Sequence, residues 1–174
     1  MTLAEKLSLC SVTIFSISLT FSIWTFIRTT RQARHAQAAR LHEIWWTDDM
    51  MSVRDKVYAL CRDQAHGGPA AALLIGYYGA SLEAAEPPGR AAFSKLIGFF
   101  SNLEVCIAAG LVDEKIAMRL FAEAHYADYQ PLIAAVRSAI LERPDRNHVL
   151  PQWLQVTVEL EQRFERLGVR WKKV

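Results

Sequence analysis

Leu7–Ile27, LSLCSVTIFSISLTFSIWTFI, runs about 21 residues without a charge, or ~32 Å as a helix, enough to cross a bilayer core of ~30 Å. Glu5 and Lys6 close it on one side, and Arg28, Arg31, Arg34 and Arg40 follow on the other. A buried core helix rarely runs so far without a polar face. A cleavable leader has a shorter apolar region, about 7–15 residues, with a small-residue cleavage site soon after it. Ala36-Gln37-Ala38 has that shape but lies beyond the arginines. The stretch reads as a membrane span that stays in the mature chain.

Charge sets its direction. The arginines crowd the C-terminal flank, so the positive-inside rule places residues 28–174 in the cytoplasm, and residues 1–6 form a short external head. Trp24 lies at the level of an interfacial aromatic belt, with Arg28, Arg31 and Arg34 just below it. The expected location is the bacterial inner membrane, single-pass.

Hydroxyl side chains pattern the span. Ser8, Ser11, Phe15, Ser18, Ser22, Thr25 and Thr29 fall at alternating spacings of three and four, one stripe along a helix. Thr13, Ser16 and Thr20 form a shorter second stripe. Small and hydroxyl residues mark helix–helix contacts in lipid, so two stripes suit a ring in which each copy touches two neighbours. The competing reading is that each hydroxyl bonds its own i−4 carbonyl and faces lipid. Charge-free hydroxyls also suit the lining of a narrow wet pore.

From Arg28 to Trp46 nothing breaks the helix, and the alanine, glutamine and arginine there favour a stalk continuing from the span. Trp45-Trp46 ends it, either at the headgroups or packed onto the domain. Residues 47–174 make one cytoplasmic domain of ordinary size. Thr47 or Asp48 caps a helix to about Gln64, with Val53, Val57, Leu60 and Cys61 on one face. Residues 70–85 suggest a short helix broken by glycines. Phe93, Leu96, Ile97, Phe100, Leu103 and Ile107 line one face of a helix that Gly110 ends. Asp113 caps the next, with Ile116, Ala117, Leu120, Phe121 and Ala124 apolar; Pro131 either starts a new helix or kinks this one. Pro151 opens a last helix carrying Leu154, Leu160, Phe164 and Leu167. No stretch alternates as a strand does. The fold class is all-α: a spanning helix, a stalk, then a helical bundle.

The net charge of +2 gives no general argument for nucleic-acid binding. Three widely spaced cysteines without a CxxC pair suit reduced thiols rather than a metal site. No nucleotide loop, zinc motif or nucleophile elbow is present, so no cofactor or metal is expected. The basic tail, Arg163, Arg166, Arg170, Lys172 and Lys173 with Trp171, suits anionic headgroups, a nucleic-acid backbone or no partner at all; for a chain already tethered the membrane is the cheaper partner.

The block Phe99-Phe100-Ser101-Asn102-Leu103-Glu104-Val105, then Gly110-Leu111-Val112-Asp113-Glu114, then Tyr129-x-Pro131-Leu132-Ile133 and Arg137 resembles the bacterial domain-of-unknown-function family 4760. That resemblance implies an N-terminal span, an arginine-rich exit and a small helical domain; it implies no activity. Glu104 on this apolar helix is expected to pair with Arg54 or Arg137, and Asn102 to bond a neighbouring backbone.

Arg119-x5-His125 and Arg143-x4-His148 have the spacing of HEPN-type ribonuclease motifs, in which an imidazole moves a proton and a guanidinium stabilises phosphorane charge. The polar residue usual after the arginine is replaced by Leu120 and Pro144, and one chance match is expected in such a chain. The leading expectation is a non-enzymatic membrane protein that forms a homo-oligomer. In layout it is similar to the pore-forming single-pass accessory proteins of RNA-targeting CRISPR systems, which points to antiphage defence by analogy. The alternatives are a tethered adaptor docking a protein partner and, behind it, a ribonuclease.

Overall fold

The computed structural model describes residues 3–80, 86–143 and 149–169, and the side chains of all of these except 3–13 and 123–125. The segments read from sequence as span and stalk form one uninterrupted helix, α1 (Leu3–Trp45), about 65 Å long at ~1.5 Å per residue. From Ile14 to Thr29 every residue is exposed; farther along, Ala38, Leu41 and Trp45 are buried. One helix thus carries a bare apolar half and a half that belongs to the core.

Seven elements follow among the described residues. Helix α2 (Asp48–Ala65) starts at Thr47, whose hydroxyl accepts from the Met50 amide at 3.3 Å. Helix α3 is Pro69–Gly79, ending short of the expected residue 85; the Asp63 carboxylate reaches across to accept from the Ala71 amide at 2.7 Å. Residues 81–85 lie outside the described residues.

Helix α4 (Arg90–Ala108) ends in a Schellman turn. The Gly110 amide donates to the Ile107 carbonyl and the Leu111 amide to the Cys106 carbonyl, each at 2.9 Å. Gly110 has a φ of 68°, a left-handed conformation that side chains rarely adopt. Asp113 then caps α5 (Glu114–Ala117) by accepting from the Lys115 and Ile116 amides.

The run continues as a π-helical stretch, Met118–Tyr126, into α6 (Ala127–Leu141), with Pro131 inside the helix and neither starting nor breaking it. Helix α7 is Gln152–Arg166. Among the described residues no strand occurs, and the protein is all-α.

Helix α4 is the centre. It packs between α2 and α7, while α3 packs against α2 and α6. Phe93, Leu96, Ile97, Phe100, Leu103 and Ile107 are all buried, as their spacing predicts, and so are Ala117, Phe121, Leu154, Leu160 and Phe164. By length and composition α4 is itself apolar enough to cross a membrane, but ten of its residues face neighbouring helices. Around Trp45 the core is aromatic, with ring centroids at 4.8 Å to Phe99, 5.7 Å to Phe100 and 6.1 Å to Phe121. Of the two readings of Trp45-Trp46, burial in the domain holds for Trp45; Trp46 stays exposed.

Candidate functional site

On the apolar half of α1, the hydroxyls bond their own helix. Thr20 Oγ1 donates to the Ser16 carbonyl and Ser22 Oγ to the Ser18 carbonyl, both at 2.8 Å, and Thr29 Oγ1 to the Thr25 carbonyl at 2.9 Å. Each such bond removes a donor that hydrocarbon would otherwise leave unpaired. What remains outward is Ile14, Phe15, Ile17, Phe21, Ile23, Trp24 and Phe26, each more than half exposed. At the lower end the Arg28 guanidinium lies over the Trp24 ring, 5.3 Å from its centroid, a cation and an aromatic at the level a headgroup layer would occupy.

Below this, α1 is clamped to the domain. The Arg54 guanidinium stands over both Trp45 and Trp46, at 4.6 and 4.8 Å, and its Nη1 donates to the Trp45 carbonyl at 3.4 Å. Burial pushes the Tyr129 phenol above its ordinary range, with Arg54 acting in the opposite sense. These contacts fasten the end of the rod to α2.

Two ionic networks tie α7 to the core. Arg163 Nε donates to Glu104 Oε1 at 2.7 Å and its Nη1 lies 3.7 Å from Glu114. The Tyr126 hydroxyl and Arg137 Nη2 donate to the two oxygens of Glu161, each at 2.8 Å. Glu104 thus pairs with Arg163, not with Arg54 or Arg137 as its surroundings in sequence suggest. Burial raises the Glu104 carboxyl above the usual range, with Arg163 acting in the opposite sense; its Oε2 has no hydrogen-bond partner among the described residues. Burial likewise holds the Tyr126 phenol well above its ordinary value. None of these residues lines the cleft beside Tyr78 and Trp153, and both networks read as cross-links. Asn102, expected to bond backbone, is exposed and only accepts from Cys106 Sγ at 3.9 Å.

A cleft of about 750 Å³ opens among α3, α4, α7 and the end of α6, lined by Tyr77, Tyr78, Arg90, Ser94, Arg143 and Trp153, among others. Its groups already hold one another. The Tyr78 and Trp153 rings are 5.7 Å apart, Arg90 pairs with Glu86 at 2.8 Å and covers the Tyr77 ring, and buried Arg143 donates to the Tyr78 carbonyl at 3.4 Å. The volume suits a small ligand; the wiring suits a brace between helices.

The residues singled out by spacing fall as follows. Arg119 is exposed on the π-helical stretch and Arg143 is buried at the cleft. The side chain of His125 and all of His148 lie outside the described residues. So do the side chains of Ser8, Ser11 and Thr13 and the tail from Arg170 onward, while Phe15, Ser18, Ser22 and Thr25 are exposed. Arg31 and Arg34 are exposed beside the rod. Among the described residues no group of three or more potential metal ligands comes together. Cys106 is buried, and burial, with Asp128 nearby, pushes the Cys61 thiol up to about 12, away from reactive thiolate.

No curated protein matches the chain. No solved structure matches it either. The family model described as "Domain of unknown function (DUF4760)" matches residues 12–171, from inside the apolar half of α1 to the basic tail. With nearly the whole chain aligned, this protein belongs to the DUF4760 family.

Proposed function

We propose that the chain is a single-pass protein of the bacterial inner membrane. In this reading α1 holds a non-enzymatic cytoplasmic helical domain rigidly against the bilayer. The observation that carries it is the unbroken exposure of an apolar helix from Ile14 to Ile27 in a chain whose other long apolar helix is packed inside. Internally bonded hydroxyls and the Trp24–Arg28 pair at the lower edge are what such a helix needs in lipid. Protease added outside intact cells is expected to leave the domain whole and to digest it only after the membrane is opened. Digestion in intact cells overturns the orientation.

Self-association is the finer part of this reading. The stripe through Ser11, Phe15, Ser18, Ser22 and Thr25 offers, Phe15 apart, small side chains that let helices approach closely, and the Ser22 hydroxyl is already bonded to the Ser18 carbonyl. Replacing Ser11, Ser18 and Ser22 by leucine is expected to shift the protein to smaller species in mild detergent; an unchanged size rules out the stripe as a seam. A conducting pore, and with it an antiphage role, rests on the same stripes and on layout. Dye leakage from liposomes carrying the intact chain, lost in the triple-leucine variant, is the result it requires. A monomer that leaks nothing leaves the tethered adaptor.

A further inference from the structure

Helix α4 climbs alongside α1 toward the apolar half. Trp45 meets Phe99 at the far end, with ring centroids 4.8 Å apart. Higher up, Gln37 Nε2 reaches Cys106 Sγ at 3.9 Å. Higher still, Arg34 Nη2 lies 3.8 Å from where a side chain on Gly110 would begin. From Trp45 back to Arg34 and from Phe99 forward to Gly110 are eleven residues each, so α1 and the α4 segment run antiparallel. Of these three contacts between α1 and the α4 segment, the one at the Schellman turn, Ala109–Leu111, lies nearest the apolar half of α1.

Helix α1 then serves as a ruler. Arg34 lies about 10 Å along the axis beyond Ile27, and a headgroup layer adds ~5–8 Å to each side of the hydrocarbon. A spanning helix tilts by ~20° on average, and a helix packed ~10 Å to one side rises by ~3 Å when the tilt favours it. That brings the turn to headgroup level. The turn is suited to the place. A leucine following a Schellman glycine normally folds back onto the helix it ends. Leu111 instead remains 52% exposed in a turn set by the two 2.9 Å backbone bonds; Arg34, whose Nη2 approaches Gly110, and Arg31, about one helical turn farther toward the apolar half, are both exposed to lipid phosphates.

We propose that the Ala109–Leu111 turn is a second membrane contact, resting in the headgroup layer of the leaflet that α1 leaves and fixing the tilt and rotation of the domain beneath it. The partner is a phospholipid surface, and the contact rests on the anchored reading of α1. The turn adds a small apolar contact to a chain already tethered, so its effect is on orientation more than on affinity.

The test places an environment-sensitive NBD label at Ile23→Cys, Leu111→Cys or Ile44→Cys, one at a time, in the full chain carrying Cys10→Ala. All three sites are at least 40% exposed, whereas Cys106 is buried and Cys61 is a poor nucleophile. The protein is reconstituted in mixed phosphatidylcholine and phosphatidylglycerol vesicles, with and without a lipid bearing a nitroxide on its headgroup, and an unlabelled-site control measures the background. The label at 23 is expected to emit to the blue. The label at 111 is expected to lose most of its emission to the nitroxide, and the label at 44, on the same helix but about 26 Å beyond Ile27, to lose none. A label at 111 that behaves like the one at 44 overturns the second contact while leaving the anchor in place. Equal quenching at 111 and 44 overturns it too, because the domain would then lie flat on the lipid. A label at 23 that reports water removes the anchor itself, and the contact with it.

Discussion

Trp45→Ala is expected to cost the domain about 3–5 kcal/mol, the range for removing a large buried aromatic, although the residue stands on the helix that also carries the apolar rod. Its ring is fully buried between Phe99, Phe100 and Phe121, and it forms one face of the Arg54 clamp. Its loss opens a cavity at the meeting point of α1, α2 and α4 and removes the tryptophan that Arg54 covers. Trp46→Ala provides the comparison: Trp46 is 46% exposed, and its share of the clamp is worth only ~1 kcal/mol. Urea unfolding of the intact chain in detergent, followed by far-UV circular dichroism, separates the two. Equal midpoints for the variants would mean that α1 is not part of the folding unit.

Introducing lysine at both Ile17 and Phe21 tests the other half of the same helix. Each costs ~2.5–3.5 kcal/mol in the middle of a bilayer, so together they shift membrane partition by about 10³-fold or more. Both side chains are 64% exposed and touch nothing in the core, so the unfolding midpoint of the domain is expected to stay where it was. Fractionation of cells expressing the double variant should move the protein from pellet to supernatant in folded form. A double variant that stays with the membrane places the attachment elsewhere in the chain.

Those two results divide α1 as its sequence does, and the division shows what local pattern reveals. The uncharged run and its arginine flank are visible by length and charge alone. Thr47, Gly110 and Asp113 mark their helix ends because each cap is a local reaction between a side chain or a φ angle and the next few amides. The buried face of α4 shows because six large apolar residues keep a helical period. Ala38, Leu41 and Trp45 also lie on one face, yet Ile44 and Trp46 blur the stripe, so the stalk did not declare its packing.

Long-range pairing is where the pattern ends. Glu104 finds Arg163, 59 positions away, and Glu161 takes the Arg137 that sequence offers to Glu104. That choice depends on how α7 is laid across α4, which no neighbouring residue encodes. The π-helical stretch is similarly silent: it leads into the turn that holds Pro131, and nothing in Met118–Tyr126 marks it. The cleft is assembled from side chains on four helices, each unremarkable in its own segment.

Washing isolated membranes with alkaline carbonate is the shortest route to the central claim, that Leu7–Ile27 lies in the bilayer of the mature protein. The intact chain is expected in the membrane pellet after washing, and a chain beginning at Arg28 in the supernatant. Recovery of the intact chain in the wash would contradict the account, because an apolar helix that leaves with the peripheral proteins is not spanning anything.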